Sequence, residues 1–144
     1  MEIKIDNKQY EKLLKLIYMG MWVVEAYDQG NDNYFTEVEQ MIYSKSSEIA
    51  NQNLIEFDEA SNKYFPALNF DKDDIIIKYI DGYEENIFWD ELIDRLTKRD
   101  MIKKHTLDGI QKMTQAQVFE YENEFIEKYE KEFQEKGIEN LGII

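Results

Sequence analysis

Cysteine is absent from this sequence, which removes disulfide frameworks, thiolate ligation of zinc or iron–sulfur clusters, and any thiol nucleophile. Histidine occurs once, as His105, so paired-histidine metal sites are excluded and any Ser/His/Asp arrangement depends on that one residue. Its neighbours Lys103, Lys104 and Thr106 place it at the exposed basic end of a helix, where the charged imidazole is favoured. The six glycines, at 20, 30, 82, 109, 137 and 142, are scattered, and no glycine-rich phosphate loop can be assembled from them. Long apolar runs are missing too. The longest, Leu16 to Val24 with Gly20 inside, is about half of the roughly 20 residues a bilayer span requires. The opening segment MEIKIDNKQYEKLL lacks the basic stretch, apolar core and small-residue cleavage site of a secretory signal, so a cytoplasmic location is expected.

Basic side chains are the scarce charge: 17 Lys and Arg face 31 Asp and Glu, a formal net charge of −14. That balance opposes nonspecific contact with nucleic-acid phosphates and with anionic membranes, and it points to a neutral or basic partner. The acids form no detachable tail. They are densest in the middle, where residues 54–85 carry nine acids against three bases. The plainest account of such charge is solubility. What the chain does have is apolar mass: 43% hydrophobic residues, with ten Tyr, eight Phe and two Trp, far more than a self-repelling disordered polymer carries. A length of 144 residues suits one compact domain, so the expectation is a single acidic helical domain over residues 1–144.

Periodicity gives a mainly α fold, with α+β as the variant: a compact bundle of about four to five helices and a small β-hairpin or irregular segment near residues 54–68. Asp6 and Gln9 have capping-box spacing ahead of Tyr10, Leu13, Leu14, Ile17, Met21 and Val24, which predicts a helix over 7–28. Its second half is apolar nearly all round and should be enclosed, with Gly20 marking a close helix crossing. Phe35, Val38, Met41, Ile42 and Ile49 predict a second helix over 34–51. In 54–68, two runs rich in aromatic and branched residues flank EASN, and Pro66 confines the second to a sheet edge. Asp71 as cap and Gly82 as stop favour a short helix over 72–82, although three consecutive Ile there suit a strand. Asn86 caps a helix through about 104, with Phe88, Leu92, Ile93 and Leu96 inward. Thr114 and Gln117 open the clearest helix, carrying Val118, Tyr121, Phe125, Tyr129 and Phe133. Gly137 ends it, and Ile138, Leu141, Ile143 and Ile144 are expected to dock.

The sharpest local pattern lies between the first two helices and resembles a degenerate EF-hand loop over residues 28–39. Asp28, Asp32, the Tyr34 carbonyl, Thr36 and Glu39 fall at the first, fifth, seventh, ninth and twelfth places of a calcium loop. Gly30 offers no oxygen at the third place, and Asn33 replaces the usual Gly, so the set is short of ligands. The bland reading is a polar turn, with no cofactor at all. Asp71, Asp73 and Asp74, with Asp81, form a second acidic group that would suit magnesium in a loop and helix capping at an N-terminus. Asp90, Glu91 and Asp94 lie beside Arg95 and Lys98 as surface ion pairs do. The basic segment Arg95–Lys104 is interrupted by Asp100 and matches a helix C-terminus, so nucleic-acid binding is not expected.

These residues name no activity outright. The preferred expectation is a nonenzymatic protein-interaction module of the inhibitor, antitoxin or mimic type, whose acidic surface meets a basic partner protein. A calcium-binding protein using the 28–39 loop is one alternative, and an enzyme with a carboxylate-based site in a cleft is the other. In the last helix Glu124 with Lys128, Glu127 with Lys131 and Glu132 with Lys136 stand at i,i+4, which weakens the mimic version. The apolar first helix and the aromatic last helix hold enough hydrophobic surface that a homodimer and a monomer are equally expected.

Overall fold

The computed structural model describes residues 2–28, 34–48, 54–68 and 70–142, with only the backbone at 27, 28, 47 and 48. Among them lie, in chain order, α1 (Asn7–Asp28), α2 (Thr36–Tyr43), β1 (Ile55–Asp58), β2 (Lys63–Pro66), α3 (Asp74–His105), α4 (Leu107–Gln111) and α5 (Gln115–Lys136), with a 3-10 segment at Ser44–Glu48. The fold is mainly α with one small antiparallel hairpin, as the periodicity predicts. No helix among the described residues is long and apolar enough to cross a membrane. The chain divides into two compact units, Met1–Gly82 and Tyr83–Ile144.

In the first unit α1 begins at the expected capping box. Asp6 Oδ1 accepts from the Gln9 amide at 2.8 Å, and Gln9 Oε1 accepts from the Asp6 amide at 2.9 Å, which satisfies donors that the helix itself leaves orphaned. One turn apart on α1, Tyr10 and Leu14 join Tyr43, Phe70 and Ile76 in the buried core. Tyr18 meets Phe70 edge to face at 5.2 Å, and Tyr10 Oη donates to the Ile42 carbonyl at 2.6 Å, tying α1 to α2. The second half of α1 is less enclosed than its composition suggests. Leu16 and Val23 remain 62% and 47% exposed, and Gly20 has no described neighbour within 4 Å of where a Cβ would stand, so it marks no helix crossing.

Helix α2 is shorter than the 34–51 expected. It starts at Thr36 and stops at Tyr43, where Ser44 Oγ donates to the Met41 carbonyl at 2.8 Å, a local bond that competes with helical continuation. Ile49 lies outside the described residues. The hairpin forms where expected, pairing Ile55 with Pro66, Glu56 with Phe65, Phe57 with Tyr64 and Asp58 with Lys63. Its turn is closed by Asp58, whose Oδ2 accepts from both the amide and the hydroxyl of Ser61 at 3.0 and 2.5 Å. Asn62 takes the left-handed conformation at φ 54°, which its short polar side chain tolerates.

Helix α3 corrects two sequence expectations. The short helix over 72–82 and the helix from Asn86 are one continuous helix of 32 residues. Glycine in a helix interior costs only about 1 kcal/mol relative to alanine, too little to break a segment with good helix formers on both sides. Its cap is Asp73, not Asp71. Asp73 Oδ1 accepts from the amides of Ile75 and Ile76 at 3.0 and 3.3 Å, while Oδ2 lies 2.7 Å from the buried Lys15 ammonium. That ammonium holds the Asp73 carboxyl below its ordinary range. Asp73 is thereby committed to cap and ion pair, as the capping reading of the 71–74 acids requires.

In the second unit α3 and α5 run antiparallel. Trp89 meets Phe133 at 5.4 Å, Lys104 pairs with Glu124 at 3.1 Å and His105 meets Tyr121 at 4.4 Å, so partner numbers fall as α3 advances. The stripe Tyr121, Phe125, Tyr129, Phe133 therefore packs on its own unit. His105 is not exposed as expected: its ring lies against Tyr121, and its Nε2 is buried with no hydrogen-bond partner among the described residues. Phe88 is half exposed rather than inward. Tyr129 Oη hydrogen-bonds Asp100, whose Oδ1 lies 2.7 Å from Arg99 Nε. The Arg99 guanidinium, with help from Tyr129, pulls the Asp100 carboxyl down to about 2. The short α4, not foreseen, is capped by Thr106 Oγ1 accepting from Gly109 at 3.3 Å. Helix α5 carries the expected Thr114–Gln117 capping box and ends at Gly137, at φ 54°. Ile138 and Leu141 stay exposed and do not dock, while residues 143 and 144 lie outside the described set.

Gly82 sits inside α3 with open space around it. Gly82→Ala should therefore raise unfolding stability by about 1 kcal/mol, read as a higher urea midpoint. An unchanged or lower midpoint would mean that the continuous helix is not what the glycine serves.

Candidate functional site

Two helical stripes with the same spacing face each other in the first unit. Helix α1 presents Tyr18, Met21, Trp22 and Glu25, and α2 presents Thr36, Glu39, Gln40 and Tyr43. Each set runs i, i+3, i+4, i+7, one face of a helix. With Lys63 to Pro66 of β2 they enclose a cavity of about 410 Å³, within the usual size of small-ligand sites.

The third wall is fixed by one side chain. Gln40 Nε2 donates to the Tyr64 carbonyl at 2.9 Å, and Gln40 Oε1 accepts from the Tyr64 amide at 2.7 Å. The hairpin register explains why that backbone is free to be bonded. Ala67 donates to the Leu54 carbonyl at 2.8 Å, so the alternating antiparallel pattern leaves the N–H and C=O of Tyr64 pointing away from β1. Pro66, two residues on, has no N–H to leave unpaired at that same edge. The helix amide thus takes the place of a third strand.

The polar groups in the cavity are held against their preference. Burial raises the Glu39 carboxyl above its ordinary range. Glu25 across the cavity adds to the rise, while Gln40, Tyr43 and the Lys63 ammonium pull the other way. Tyr43 has no exposed surface at all, and burial first, then the nearby Glu39 carboxylate, pushes its phenol well above the ordinary tyrosine value. Although one turn from Glu39, the Tyr43 hydroxyl makes no hydrogen bond of normal geometry with any described residue. Tyr18 titrates high through burial and then the charges of Asp71 and Glu25. Aromatic faces, one displaced carboxylate and one buried unpartnered hydroxyl make a chamber suited to hold a ligand with both apolar and polar parts.

The five residues of the calcium-loop pattern scatter. Thr36 and Glu39 come together, but as the α2 wall of this cavity; Tyr34 is 92% exposed in the turn before α2; Asp32 and the side chain of Asp28 lie outside the described residues. Among the described residues no group of three or more acidic or histidine side chains is arranged to hold a metal ion. Two smaller hollows exist. One is an apolar groove of about 220 Å³ bordered by Leu16, Gly20, Val24, Phe35 and Val38. The other, of about 250 Å³ in the second unit, is bordered by Asp90, Asp94, Glu122 and Glu130, with Lys98 already 2.6 Å from Asp94.

Sequence reasoning missed Tyr18, Trp22, Gln40, Tyr43 and Tyr64 as site residues. The matching i, i+3, i+4, i+7 spacing of mixed polar, apolar and aromatic residues on both helices is the signal that was available. Comparison with protein-family models, curated proteins and solved structures finds no match for this chain.

Two outcomes follow from the burial. Tyr43→Phe removes an unsatisfied buried hydroxyl, whose desolvation penalty is about 1–3 kcal/mol, so the variant should be as stable as the parent or more stable by up to about 1 kcal/mol in a urea titration; a loss larger than that would mean the hydroxyl is satisfied. For Glu39 the folded carboxyl titrates above the unfolded one, so its charged form destabilises the fold above the folded-state pKa, and acidification through that value relieves the penalty. Glu39→Gln should therefore raise the melting temperature at neutral pH, with a gap to the parent that narrows as pH falls toward the ordinary carboxyl range. A gap that widens on acidification would reverse the sign.

Proposed function

We propose that this protein is a nonenzymatic binding module that recognises a positively charged partner, with the cavity face of the first unit as its contact surface. Residues 1–82 carry 16 acids against eight lysines and no arginine. Of those lysines, Lys15 is already held between Glu11 and Asp73 at 3.2 and 2.7 Å. The observation that carries the reading is the state of Glu39: a carboxylate part-buried among aromatic rings, with Glu25 rather than a strong cationic partner adding to its displacement. Such a carboxylate gains from an incoming positive charge, and a negative field around it steers that charge and orients its approach.

A carboxylate-based enzyme is the second reading, favoured by the same displaced Glu39 in a concave site. Binding is preferred because the cavity's amide, Gln40, is spent on the hairpin backbone, and Tyr43 stands on the same helix face one turn away, which adds a hydrogen-bonding group without adding a second displaced acid.

The test uses a fluorescent lysine-rich peptide. Its affinity should fall by about tenfold between about 20 mM and about 150 mM salt. Replacing Glu25 and Glu39 together by Gln should weaken it further, by about tenfold at fixed salt. Replacing two exposed acids of α5, Glu120 and Glu127, changes net charge equally and should matter by less than about twofold. Equal losses from both pairs would reduce the interaction to net charge alone and overturn the proposal.

A further inference from the structure

The cavity contains more polarity than the fold requires. A helix pair and a hairpin need an apolar filling here, and a phenylalanine at 43 would supply it without an orphaned hydroxyl. A carboxylate part-buried beside open volume, as Glu39 is, is complementary to something brought from outside. The character of that something is constrained on three sides. Its charge is set by Glu39, with Glu25 beside it and Lys63 as the opposing ammonium; an anion would meet net repulsion. Its donor capacity is set by the part-buried Glu39 carboxylate, which accepts hydrogen bonds. Its body is set by Tyr18, Trp22 and Tyr64, whose rings line the same space and suit an alkyl or aryl stem as well as the flank of a cation.

We infer that this cavity is a binding site for an N–H-bearing organic cation, an ammonium or guanidinium on an apolar stem, with the charge against Glu39 and the stem among the aromatic residues. The inference deepens the reading above and rests on it only for the sign of the field, because the same chemistry is offered by a protein partner's Lys or Arg side chain and by a free small amine. A volume near 410 Å³ admits either. A metal ion is a poorer occupant, since hard cations need several oxygen ligands and the described carboxylates here are Glu25 and Glu39.

The experiment is calorimetric titration of the full chain with n-butylammonium, butylguanidinium and 2-phenylethylammonium, with n-butanol as the neutral control. At least one cation should bind at least about tenfold more tightly than n-butanol. Glu39→Gln should weaken that binding by about tenfold while leaving the melting temperature equal or higher, a pairing that a merely structural role would not produce. Glu120→Gln in α5 should leave it unchanged. Cations that bind no better than n-butanol, or an affinity indifferent to Glu39→Gln, would overturn the site. A parallel arm compares a lysine-containing peptide with its norleucine analogue. Free cations that bind while the two peptides do not differ would support the cavity with a small amine as its ligand and remove the protein partner. Salt-sensitive peptide binding indifferent to Glu39→Gln would remove the cavity and leave the charged surface.

Discussion

The first unit depends on a side-chain amide standing in for a strand. A two-stranded hairpin is marginal by itself in water, and β2 turns an unpaired edge toward α2. Gln40 offers that edge one donor and one acceptor at the spacing of a peptide group, and Tyr64 accepts both. A longer third strand would have closed the edge but filled the space. A single amide closes it at one residue, and beyond that point the edge carries Pro66, which has no N–H to satisfy. The hairpin also packs Leu54, Ile55 and Tyr64 against the core, so its polar edge is held by one amide and its apolar face by the core, with the cavity left beside them.

The walls of that cavity show a consistent conflict between folding and polarity. Glu39 and Gln40 are neighbours on α2, yet Gln40 has its hydrogen bonds completed by the hairpin while burial holds the Glu39 carboxyl above its ordinary range. Tyr43 is more extreme, with no exposed surface and an orphaned hydroxyl. At several other places the chain resolves such conflicts. Tyr10 delivers its hydroxyl to the Ile42 carbonyl, Lys15 is matched by Asp73 and Glu11, and Asp100 is surrounded by Arg99, Lys103 and Tyr129. Among the described residues the buried Thr97 hydroxyl and His105 Nε2 also lack a partner, so an orphaned group does not by itself mark a site; what sets the cavity apart is a part-buried carboxylate beside open volume.

What was legible in the sequence divides by range. Both capping boxes, Asp6 with Gln9 and Thr114 with Gln117, were readable because the bonds join residues three apart and need nothing else. The hairpin was readable because EASN and Pro66 act locally. The choice of Asp73 over Asp71 as the cap of α3 was not, since Lys15 of another helix helps decide it. Gly82 and Asn86 misled because local stop signals of about 1 kcal/mol yield to a helix that gains a hydrogen bond with each residue it adds. The cavity was least legible. Its α1 stripe reads as core and its α2 stripe reads as the tail of a calcium loop, and only the register of a remote hairpin makes them face one space.

The acidic excess takes on a different meaning once it is divided among its partners. On α3 and α5 the acids are largely local currency: Glu91 with Arg95, Asp94 with Lys98, Glu132 with Lys136, and Glu124 with Lys104 across the two helices. Exposed pairs of this kind add little stability, but they cancel field at a distance. In the first unit the balance differs, because the well-placed cation Lys15 is consumed by the cap of α3 and Glu25 and Glu39 push on each other's surroundings. Net charge alone therefore does not locate a binding surface. The unpaired remainder does, and it falls where aromatic rings lower the local polarity and make each remaining charge count for more.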